Sequence, residues 1–135
     1  MHRSLTVKIL IADKFEQSGR DGLAALGCEV VNQPEVPADL LADTINRLAP
    51  AILLVRSKKV GKPAIDAGSN MCLKGIIRAG AGYDNIDTKA AAAHAIAVCN
   101  CPGTNSVAVA ELTMGLLIAL ELLAELAGLL ELLSE

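Results

Sequence analysis

LTVKILIA, residues 5–12, is the stretch on which the fold turns. It is largely β-branched and aliphatic, shows no sustained alternation of polar and apolar side chains, and is followed by Asp13 and Lys14. A strand with one wet face alternates, whereas a strand covered on both faces does not need to. Runs of the same kind return at regular intervals as CEVVN (28–32), AILLV (51–55), KGIIRA (74–79) and AIAVCN (95–100), bounded by Gly, Pro and Asp. These runs predict five short strands.

The segments between them have helical spacing and helical punctuation. SGRDGLAALG ends on Gly27 as a C-terminal stop, PADLLADTINRL opens on Pro37, KPAIDAGSN opens near Pro63, and DTKAAAAHA follows Asp87 as an N-cap. Strands alternating with short helices make βαβ units, hence a parallel sheet with helices on both faces. The expected architecture is a doubly wound five-stranded parallel α/β sheet of flavodoxin-like order 2-1-3-4-5, followed by a long C-terminal helix.

Composition agrees. With 135 residues the chain suits one core, and with 53% apolar residues but one Phe, one Tyr and no Trp, that core is aliphatic. The formal net charge is −3, and no Lys or Arg follows Lys89, while Glu111, Glu121, Glu125, Glu131 and Glu135 do. An acidic tail argues against nucleic acid and anionic membrane as partners. MHRSLTVKIL is too short in its apolar run for a secretion signal. Cys28, Cys72, Cys99 and Cys101 read as buried free thiols, and the chain as cytoplasmic. Cys99-x-Cys101 has no second pair and no His at ligand spacing, so no metal site is expected.

The segment VAVAELTMGLLIALELLAELAGLLELLSE, capped by Asn105 or Ser106, predicts one helix of more than twenty residues. At 100° per residue Ile118, Leu122, Leu126, Leu129 and Leu133 form one apolar stripe, and Leu112, Leu116, Ala119, Leu123 and Leu130 a second beside it. Glu121, Glu125 and Glu131 interrupt it too often for a membrane span. Two stripes exceed what one small domain covers, so a homodimer through this helix is expected, with helices antiparallel or exchanged between protomers.

In an open α/β sheet ligands bind beyond the carboxyl ends of the strands. Three loops emerge there: VRSKKV with Arg56, Ser57, Lys58 and Lys59; RAGAGYDN with Arg78 and the backbone of Ala79, Gly80, Ala81 and Gly82; and NCPGTNS with Asn100 and Asn105. Guanidinium groups and exposed N–H groups converging on one edge make an anion site. Gly80-Ala81-Gly82 lacks the third glycine of a dinucleotide fingerprint, so no cofactor is expected on these residues. His94 reads as a helix-end residue rather than a base, and no nucleophile motif is present, so no catalytic residue is assigned.

The order VRS, then IIRAGAGYDNID, then AVCNCPGTNSVAVAELTMGLLIAL, closely resembles the substrate-binding domain of the D-2-hydroxyacid dehydrogenase family, above all its phosphoglycerate dehydrogenases, from about Val7 to Leu120. The resemblance implies that the Arg-Ala-Gly-x-Gly loop holds a substrate carboxylate by backbone N–H groups while nearby basic residues hold a phosphate. It implies substrate contacts from Arg56, Ser57, Arg78, Ala79, Gly80 and Asn100, a small anionic 2-hydroxy acid as ligand, weakly held, and NAD as the cofactor of the full-length family. In the family the helix begun near Asn105 crosses into an inserted nucleotide-binding domain. Residues 121–135 instead form a Leu/Glu-rich extension to a 1–120 domain, with no G-x-G-x-x-G and no acid-base set, so the chain alone is expected to be inactive. The alternative from another class is a structural, self-associating module with a relic anion site.

Overall fold

The computed structural model describes residues 6–104 and 106–134, the side chains of Ser106 and Val109 excepted. Leu5 at the start of the expected first strand, the expected cap Asn105 and the terminal Glu135 lie outside the described residues. The five expected strands are β1 Lys8–Ile11, β2 Glu29–Asn32, β3 Ile52–Val55, β4 Gly75–Arg78 and β5 Ala97–Cys99. They pair in parallel in the order β2-β1-β3-β4-β5. Register sets Leu10 beside Leu53 and Leu53 beside Ile76, so three aliphatic side chains stack across the sheet centre.

Helix α1 spans Gln17–Ala25 and stops because Gly27 takes φ +82°, freely available only to glycine. Gly27 N–H donates to Ala24 O at 2.9 Å and Cys28 N–H to Leu23 O at 3.2 Å, the two reversed bonds of a Schellman end. Pro37 opens a 3-10 turn, Ala38–Leu40, before helix α2, Leu41–Leu48. Helix α3 is Lys62–Asn70, with Pro63 in its first turn where a missing N–H costs nothing. Helix α4, Thr88–Ala93, is capped by Asp87, whose Oδ1 accepts from Ala90 N–H at 2.9 Å.

Helices lie on both faces, unevenly. On one, Leu41, Ile45, Ile65 and Ala91 of α2, α3 and α4 close over Leu10, Leu53, Val55 and Ile76. On the other, Phe15 and Leu23 pack with Ile9, Ile11 and Leu54. That second layer thins toward β5, where Ala97 and Cys99 are exposed. The cysteines correct the expectation of burial: Cys28 and Cys101 are half-buried, Cys72 and Cys99 exposed. Cys99 fails to bury because β5 is an edge strand, and Cys72 because it follows α3 in a turn, where its thiol donates to Ala49 O at 2.8 Å.

The chain divides into two compact units between Pro102 and Gly103. The second unit carries helix α5, Ser106–Leu133, whose 28 residues extend about 42 Å. Both expected stripes are exposed, and so are Leu117, Leu120 and Leu132 outside them. The helix is therefore apolar on nearly every side, not along two stripes alone. Among the described residues no helix is long and apolar enough to cross a membrane.

Candidate functional site

The strand order reverses beside β1, so the crevice between the carboxyl ends of β1 and β3 is where this topology admits a ligand. Asp13 leaves β1 there. Its Oδ2 accepts from the backbone N–H of Arg56 at 3.0 Å, Ser57 at 2.8 Å and Lys58 at 2.8 Å, and its Oδ1 from Lys14 N–H at 3.1 Å. Partial burial pushes its carboxyl pKa up, but the four N–H bonds outweigh burial and hold it below 3.8. Such a carboxylate contributes stability that is present above 3.8 and is lost as pH falls through its depressed folded value. Sequence reading missed Asp13; the available signal was an acidic residue placed directly after the first strand.

The rest of the loop after β3 is tied down on other sides. Lys58 Nζ donates to Pro34 O at 3.1 Å and also to Val36 O, so this lysine is turned to the loop after β2 rather than to a ligand. Asn85 Nδ2 donates to Lys58 O at 2.8 Å, and Val60 N–H to Asn85 O at 2.8 Å. Arg56 stays exposed at the edge, and the Ser57 hydroxyl has no protein partner among the described residues.

The loop after β4 is held in the same way. Asn100 Nδ2 donates to Ala81 O at 2.7 Å and Cys101 N–H to Gly80 O at 2.9 Å, fixing both carbonyls from the end of β5. Ala79 N–H donates to Val55 O and Gly80 N–H to Arg78 O, each at 2.8 Å. Ala79 and Gly80 thus make the bend. Beyond the bend, the N–H groups of Ala81 and Gly82, and of Tyr83, Asp84 and Asn85 after them, have no acceptor among the described residues. Arg78 folds its guanidinium over Gly80, where a Cβ would come within 2.7 Å of Cζ; a methyl there would evict it. Its Nε is buried without a protein partner. A cleft of about 290 Å³, lined by Tyr83, Thr88, Ala92, Ile96, Val98 and Asn100, opens next to this loop.

A dinucleotide does not fit these residues. Gly80-Ala81-Gly82 leads into a turn rather than a helix, and α4 is only 6 residues long. Its N-terminus already holds the Asp87 carboxylate, which would repel a pyrophosphate. His94 closes α4, and its Nε2 lies 2.9 Å from Asp66 Oδ1, away from the loops described above. Hydrogen bonds from Lys62 and His94 hold the Asp66 carboxyl below 3.8.

The sheet unit is thus a doubly wound parallel α/β domain with Arg56 and Arg78 at the carboxyl ends of β3 and β4. The family model for the D-isomer specific 2-hydroxyacid dehydrogenase catalytic domain matches residues 9–128, and the chain belongs to that family. D-3-phosphoglycerate dehydrogenase of Methanocaldococcus jannaschii is 40% identical over 116 residues, 84% of this chain and 21% of that protein. Hydroxypyruvate reductase of Thermotoga maritima is 46% identical over 80 residues, 57% of this chain and 26% of that protein. The crystal structure of NAD+-bound 3-phosphoglycerate dehydrogenase from Entamoeba histolytica superposes with a TM-score of 0.72 at 35% identity, covering 84% of this chain and 38% of that one. The chain thus spans about a fifth of the length of the Methanocaldococcus phosphoglycerate dehydrogenase and under two fifths of the Entamoeba one.

Proposed function

We propose that the sheet unit is the substrate-binding part of a D-2-hydroxyacid dehydrogenase and takes a small anionic 2-hydroxy acid, 3-phosphoglycerate being the first compound to test. One observation carries this reading: Arg78 ends β4, Arg56 and the free N–H groups of Ala81 and Gly82 lie on the loops that leave the same sheet edge, and Asn100 fixes the loop that follows Arg78. The N–H pair suits a carboxylate, and the guanidinium groups suit the phosphate. Tyr83 and the cleft beside it lie where a substituent on the hydroxy acid would be sorted.

Arg56→Ala and Arg78→Ala are each expected to weaken 3-phosphoglycerate binding by about 1.5–3 kcal/mol, roughly ten- to hundredfold. Lys74→Ala, at the opposite end of β4, is expected to change it little. Calorimetric titration checks this, and equal losses from all three would reduce the site to general charge. NAD, bound in the Entamoeba relative, is assigned here to parts of the enzyme other than these residues. The 135 residues by themselves are therefore expected to form no NADH from 3-phosphoglycerate and NAD above background. Turnover by pure material would refute that assignment.

The exposed surface of α5 favours an assembly proposal: two copies of the chain pair through this helix. A helix apolar all round is one that is buried in its working state. Nine large side chains of its two stripes are exposed. At roughly 60–120 Å² each they supply on the order of 500–1,000 Å² per protomer, against about 800 Å² per partner in stable complexes. At 100° per residue Glu121, Glu125 and Glu131 lie off the two stripes, which leaves the leucines clear for a partner. A second copy supplies the matching leucines.

A further inference from the structure

We propose that Asp13 is a positioning residue of the substrate site: by accepting the N–H groups of Arg56, Ser57 and Lys58 it fixes the loop after β3 so that the Arg56 guanidinium is presented at the ligand edge. The inference rests on the anion-site reading above and adds to it the residue that gives the site its shape. Three successive N–H groups converging on one carboxylate oxygen form a nest of the kind that binds anions. This nest is filled by the protein's own carboxylate. Substrate is therefore left to the side chain of Arg56 and to the donors of the loop after β4.

The clamp acts from several directions on the same short segment. Asp13 holds it from the loop after β1, Pro34 and Val36 hold Lys58 from the loop after β2, and Asn85 holds the Lys58 carbonyl from the loop after β4. With the backbone fixed on each side, Arg56 reaches out from a rigid base and loses less freedom when it grips an anion. The negative charge of Asp13 has a second effect. Turned inward onto N–H groups, it is neutralised locally and does not repel the ligand that Arg56 attracts.

The test combines amide NMR with 3-phosphoglycerate titrations of the whole chain, unmodified and as Asp13→Asn, Asp13→Ala, Arg56→Ala and Asp13→Ala/Arg56→Ala. The amide signals of Arg56, Ser57 and Lys58 are expected to move together in one acid titration below 3.8, and to stop doing so in Asp13→Asn. Binding is expected to weaken about tenfold in Asp13→Ala and about tenfold in Arg56→Ala, with the double variant no weaker than Arg56→Ala alone. That non-additivity is what a general loss of stability would not produce. If Asp13→Ala does not fold, Asp13→Asn with Arg56→Ala completes the same cycle. Failure of the unmodified chain to bind overturns the site reading and Asp13's role with it. Binding by the unmodified chain with additive losses, or with Asp13 variants that bind normally, overturns the role of Asp13 alone.

Discussion

Carrying Leu126→Glu and Leu130→Glu, the chain is expected to scatter light as a 14.0 kDa monomer at micromolar concentration, and the unmodified chain is expected to scatter at twice that mass. The two leucines belong to adjacent stripes of α5 and are 56% and 67% exposed. A dimer would lose four buried leucines, at about 1.5–3 kcal/mol each, or roughly 6–12 kcal/mol, and would gain four carboxylates in an apolar seam already flanked by Glu125 and Glu131. With the several kcal/mol that each buried carboxylate costs, the total is comparable to what the seam retains after association costs of about 4–15 kcal/mol. An unmodified chain already at 14.0 kDa would end the assembly proposal. A double variant still at twice that mass would move the seam elsewhere.

The second large effect is on stability. Leu53→Ala is expected to destabilise the sheet unit by about 2–5 kcal/mol, a sizeable share of a typical total of about 5–15 kcal/mol. Leu53 is fully buried at the centre of β3, between Leu10 of β1 and Ile76 of β4, where neighbours on both sides are too constrained to fill the gap. Leu26→Ala, at a residue 80% exposed, is expected to change stability by no more than about 0.5 kcal/mol. Urea unfolding followed by circular dichroism compares the two directly. Equal midpoints would mean that the core does not lie where Leu53 places it.

The strands were legible because each is an aliphatic run between turn residues, and a buried parallel strand needs little else. Helix ends were legible where one residue makes the end, Asp87 by its side chain and Gly27 by its left-handed backbone. The exposure of Ala97 and Cys99 was not: the expected order already sets β5 at the edge, but nothing local in these residues says that the second layer thins there. The site was half legible. Residue type announced Arg56, Arg78 and the small residues after it. Which lysine is free was hidden, because Lys58 is turned away by carbonyls of Pro34 and Val36, more than twenty residues distant in the chain. Asp13 was hidden for the same reason: three of its four partners lie 43 to 45 residues away, and all are backbone groups, which leave no mark on sequence.

That separation has a consequence for how the molecule is put together. Asp13 lies two residues beyond Ile11, and Arg56 two beyond Leu54, and Ile11 and Leu54 are paired across β1 and β3. The entropy of closing so long a loop is therefore met by the sheet, and the carboxylate finds its three N–H groups at little extra cost. A slip of one residue between these strands would turn every β1 side chain to the other face and carry Asp13 off its partners. Asp13 thus also gauges strand alignment: a misregistered sheet would keep its strands and lose the bonds that hold the loop after β3.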